Sequence, residues 1–96
     1  MIIKLSPIRM DGVMTLSKSG DALTIDGETF DLTALPDGAT LPAEAVGCRR
    51  VELPVERVNG QLVITLSLPI AVDAGEAACF PVDIVNPPDG EVRLPQ

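Results

Sequence analysis

Carboxylates are the only abundant reactive groups in this chain: fourteen Asp and Glu stand against seven Lys and Arg, and His, Trp and Tyr are absent. Asp26, Glu28 and Asp31 cluster around one turn, and their D-x-E-x-x-D spacing could bring two oxygens near a calcium ion. The cluster lacks the alternating ligands and the following Gly of the known calcium loop, so no metal site is expected. Without His the usual general base and the commonest metal ligand are missing. Cys48 and Cys79 lie far apart in sequence, so they do not make a zinc site, and neither Lys4 nor Lys18 is placed near them to generate a thiolate. Ser17 or Ser19 could form a dyad with Lys18, but these residues sit on or beside a tight turn and read as a solvated hairpin tip. Asp11, Asp37 and Asp89 each precede a glycine and read as turn residues bonding the local backbone. No catalytic, cofactor-binding or metal-ligating residue is therefore assigned, and a non-enzymatic role is expected. Arg49 and Arg50 are the candidate interaction residues. In a strand they would point to opposite faces, and one could reach a carboxylate on another subunit or partner.

Composition closes further classes. A net charge of −7 repels a phosphate backbone, and with aromatic residues at 2% there is almost nothing for a base or a sugar to stack on. Nucleic acid is not an expected partner. No run approaches the roughly 18 apolar residues of a membrane span, and the start at Met1 to Pro7 lacks a cleavable apolar region. The expectation is a soluble protein, cytoplasmic where it is made. Both cysteines keep apolar company and read as buried, reduced thiols.

The elements follow from the punctuation. Eight glycines and nine prolines are spread through the chain, which excludes a long helix and argues short strands joined by tight turns. A two-residue turn at Asn59-Gly60 pairs Val58 with Gln61, Val55 with Ile64, Leu53 with Leu66 and Val51 with Leu68, so these apolar residues share one face. Pro54 fits that hairpin only on an edge or at a bulge. Turns at Ser19-Gly20 and Asp26-Gly27 make residues 13–32 a three-stranded meander with Met14, Leu16, Leu23, Ile25, Phe30 and Leu32 inward. Pro87-Pro88-Asp89-Gly90 reads as the turn of a last hairpin joining residues 80–85 to residues 92–94. Thr33 to Gly47 is a connection holding one helical turn near Pro42 to Val46, and Pro69 to Ala78 is a second connection. With a first strand at Ile2 to Leu5, residues 1–96 form a single all-β domain. It is a small antiparallel sandwich or barrel of about eight short strands built from meanders and hairpins.

The segments L-S-P-I-R (Leu5 to Arg9), L-S-K-S-G-D-A-L-T-I-D-G-E-T-F-D-L-T-A-L-P-D-G-A-T-L-P (Leu16 to Pro42), G-Q-L-V-I-T-L-S-L-P (Gly60 to Pro69) and P-D-G-E-V-R-L-P (Pro88 to Pro95) resemble a family of short, uncharacterised proteins encoded in phage and prophage tail regions. The resemblance implies a structural or assembly accessory of the tail and brings no catalytic residue. Expected partners are a second copy, as a homo-oligomer, or other phage structural proteins. The expected location is the bacterial cytoplasm on synthesis and the virion afterwards. The alternative is a small acidic bacterial β module that recognises a peptide or a basic protein.

Overall fold

Turn chemistry sets the registers of this chain. The structure is a computed structural model describing residues 1–10, 12–71, 73 and 75–94. In order along the chain come β1 (Ile2–Arg9), β2 (Leu16–Ser19), β3 (Ala22–Ile25), β4 (Glu28–Asp31), β5 (Thr40–Leu41), α1 (Ala43–Val46), β6 (Val55–Val58), β7 (Gln61–Ile70), α2 (Glu76–Cys79), β8 (Ile84–Val85) and β9 (Gly90–Glu91). They form a five-stranded sheet, β5-β6-β7-β1-β8, and a four-stranded sheet, β4-β3-β2-β9. The chain is all-β, a sandwich of two sheets around one shared apolar core.

Two hairpins close as their residues dictate. A type I′ turn needs positive φ at both central residues. Asp26 and Gly27 have φ of 52° and 84°, and Asn59 and Gly60 have 51° and 81°. Ile25 therefore pairs with Glu28 and Leu23 with Phe30, while Val58 pairs with Gln61. The third turn is centred one residue later than expected. Leu16 pairs with Ile25 and Ser19 with Ala22, leaving Gly20 and Asp21 central. Gly20, with φ 59°, thereby takes the first central position, the one where a type II′ turn prefers glycine. Moving a turn by one residue changes each partner by two positions, so the inward face survives. Met14, Leu16, Leu23, Ile25 and Leu32 are buried as expected, with Phe30 half-buried against them.

The central hairpin departs from its expected pairing beyond Val55. Val51 bridges Leu66 rather than Leu68, with the Ser67 N–H donating to Arg50 O and the Glu52 N–H to Thr65 O. Two extra residues are thus looped out on the β6 side, where Pro54 needs no ladder partner. Because strand alternation has period two, Val51 still faces the core, but Leu53 is expelled and stands 55% exposed. Val51, Val55, Ile64, Leu66 and Leu68 are buried beside Ile3 and Leu62.

Two corrections concern topology. β1 runs parallel to β7, from Ile2 opposite Val63 to Arg9 opposite Ile70, so the five-stranded sheet is mixed rather than purely antiparallel. A parallel pair needs a long crossover, and the whole second-sheet meander lies within it. The expected last hairpin does not form either: β8 pairs with β1, while β9 pairs with β2 in the other sheet. Pro87 and Pro88 have no N–H to pair, and they carry the chain from one sheet to the other. The helical turn occurs as expected at α1, ending on Gly47 in the left-handed conformation. Within the second connection β7 continues to Ile70 and α2 forms, while positions 72 and 74 lie outside the described residues.

Candidate functional site

β3 is gripped at both ends by arginines from outside its sheet, Arg57 of β6 and Arg50 of the turn before Val51. Beyond its start, Asp21 accepts a hydrogen bond from Arg57 Nη2 at 3.0 Å. Beyond its end, Asp26 accepts one from Arg50 Nε at 2.9 Å. Arg57 also donates to Leu35 O at 2.5 Å, Gly60 O at 3.1 Å and Leu32 O at 3.3 Å. One planar fork thus ties the four-stranded sheet, the following loop and the Asn59-Gly60 turn together. Burial alone would raise the Asp26 carboxyl. The Thr15 N–H, the Arg50 guanidinium and the charge of Arg49 outweigh it and hold Asp26 below its ordinary value.

The sequence suggests that Asp37 and Asp89 bond the backbone of their own turns, but the structure gives them partners elsewhere. Asp37 accepts the Gly60 N–H at 3.0 Å and Asp89 the Gly20 N–H at 3.0 Å, so each fastens the tip of another hairpin. Asp89 also takes Lys18 Nζ at 2.8 Å, and those two bonds lower its carboxyl. Lys18 is therefore engaged by Asp89 rather than standing as the free base of a serine dyad. Asp31 is lowered by the Thr33 hydroxyl and then by the Thr33 N–H, a local turn of the expected kind. Asp11 lies outside the described residues. Among the described residues no three His, Cys, Asp or Glu side chains assemble into a group that could hold a metal ion. Cys48 and Cys79 are half-buried rather than fully buried, and no disulfide joins them.

Arg49 and Arg50 lie in a turn, not in a strand. Arg50 is buried, 6% exposed, and its carboxylate belongs to the same chain. Arg49 is exposed and adds its charge to the Asp26 environment. Arg57 escaped the sequence reading because a lone arginine in an alternating strand carries no local mark of what lies across the core.

A broad concavity opens between the sheets, where the end of β7 meets the entry to β2 and the segment after β9. It measures about 1120 Å³. Met14, Leu16, Leu68, Ile70 and Val92 supply buried apolar walls. Val13, 81% exposed, stands at its border with Thr15, Glu91 and Arg93. An apolar concavity with a few polar groups at its margin can seat an aliphatic side chain or segment. Elsewhere Phe80, Val82 and Val85 stand exposed around β8. No helix among the described residues is long and apolar enough to cross a membrane. Comparison of the chain with known protein families, with curated proteins and with solved structures returned no match.

Proposed function

We propose that this protein is a non-enzymatic phage or prophage protein, a structural or assembly accessory of the tail that works through protein-protein contacts. The observation that carries the contact reading is the open cleft of about 1120 Å³ with apolar walls, bordered by the exposed Val13. Such a surface is costly to leave in water and is relieved by a partner. Lys4, Lys18, Arg50 and Arg57 are engaged in ion pairs within the chain, and aliphatic surface and backbone edges are the principal means of contact on this reading. The tail setting rests on the resemblance of the Leu5, Leu16, Gly60 and Pro88 segments. On this reading the protein is made in the bacterial cytoplasm and acts on the growing particle.

Affinity capture from an induced lysogen, with mass spectrometry of lysate and purified particles, tests it. The wild type should recover a tail protein, and Val13→Asp, which charges the cleft border without touching the core, should lose it. Recovery of no phage protein by the wild type would defeat the proposal. A second reading, an acidic bacterial module for a peptide or basic protein, is favoured by the excess of carboxylates in the chain. Recovery of a basic, non-phage partner would select it.

A further inference from the structure

The two longer sheet edges of this sandwich are treated differently. Along a strand, the N–H and C=O of successive residues point alternately to its two sides. In β1, Met1 O accepts from the Asn86 N–H on the β8 side and the Met10 N–H donates to Ile70 O on the β7 side. Leu5, Pro7 and Arg9 therefore point their backbone groups outward, past the end of the short β8. Pro7 has no N–H to offer there, so that edge is blunted. At the far side of the other sheet, the Leu32 N–H donates to Asp21 O. With Phe30 opposite Leu23 and Glu28 opposite Ile25, the residues that turn their backbone outward are Thr29 and Asp31. No proline interrupts β4, and among the described residues no strand pairs with its outer side.

Resting on the contact reading above, we propose that the free edge of β4 accepts an extended protein segment with two basic residues, added as an antiparallel fifth strand. The edge is acidic: Glu28 and Asp31 are both exposed. A second copy would bring four such carboxylates into one seam between two chains of net charge −7, so the charges that deter self-pairing admit a cationic strand. Register specifies the partner further. Read from its N-terminus, the added segment places a basic residue opposite Asp31, an apolar one opposite the half-buried Phe30, a β-branched one opposite Thr29 and a basic one opposite Glu28. Lys-Val-Thr-Lys is such a sequence.

The test is titration of isotope-labelled protein with a peptide carrying Lys-Val-Thr-Lys in an extended frame, followed by amide shifts. Thr29 and Asp31 should move, binding should weaken with salt, and the Glu-Val-Thr-Glu peptide should bind at least about tenfold more weakly, because each cross-strand ion pair becomes a repulsion. Thr29→Pro removes an outward N–H without taking a β3-β4 ladder bond and should abolish binding. Glu28→Lys, which leaves the backbone alone, should weaken it in the same direction. Shifts absent from Thr29 and Asp31, or equal affinity for both peptides, would overturn the inference. In affinity capture, a Thr29→Pro protein that still recovers the wild type's tail partner would overturn the edge assignment while leaving the contact reading intact. A wild type that recovers no partner would remove that reading itself.

Discussion

Arg57 should be the most consequential single side chain outside the apolar core. Its side chain is 12% exposed, and the guanidinium satisfies three carbonyls and one carboxylate from separate parts of the chain. Truncation to Ala takes the guanidinium donor from the part-buried carbonyl of Leu35 and leaves that of Leu32 with the Leu35 N–H alone. Hydrogen bonds to a charged group contribute about 1.5–3 kcal/mol each, but carbonyls near the surface recover part of this from water, so about 3 kcal/mol is expected in all. For a domain of this size that is on the order of 15 °C in Tm. The Asp21 pair should supply little of it, because that carboxylate is 37% exposed and such pairs contribute about 1 kcal/mol or less. Arg57→Lys, which keeps the charge but not the fork, should consequently lose most of the same stability. Far-UV circular dichroism in urea is the assay, since the chain has neither Trp nor Tyr to report by fluorescence. If Arg57→Ala lay within about 0.5 kcal/mol of wild type, the range of an ordinary surface change, or if Arg57→Lys were neutral, the bracing role would be refuted.

The looped-out Leu53 and the fully buried Leu66 form a matched pair: Leu66→Ala should cost about 2–5 kcal/mol and Leu53→Ala less than about 0.5 kcal/mol in the same denaturation assay. Gly60 has φ 81° and open space where a Cβ would stand, so Gly60→Ala should cost about 1–2 kcal/mol from backbone strain alone. Asp26 is held below its unfolded value, so its contribution is present above that value and is lost as pH falls through the folded one. Acid titration of the unfolding midpoint should show this decline, and Asp26→Asn should be less stable at neutral pH with a flatter acid limb.

What the sequence disclosed was local. Asp26-Gly27 and Asn59-Gly60 were legible because few residue pairs accept two positive φ angles, and their registers sort inward from outward side chains. Face assignments survived even where a turn slid by one residue or a bulge removed Leu53, since both displacements change pairing by an even number. The parallel pairing of β1 with β7 was not legible, because it joins segments some sixty residues apart in sequence and leaves no periodic trace in either. Pro88-Asp89-Gly90 has the residues of a hairpin turn, yet β8 and β9 find their partners in different sheets. For the candidate site the difficulty was sharper. Arg49 and Arg50 drew notice by adjacency, whereas the cleft is made by segments that meet only when both sheets are in place.

The contact account is tested most directly by hydrogen exchange on the protein alone and on its complex with a captured tail partner. Slowed exchange at residues 12–17, 68–70 and 92–94, the walls of the cleft, is the predicted result, with Thr29 and Asp31 on the β4 edge slowed beside them. Protection confined to surfaces away from the cleft, or none anywhere, would contradict it.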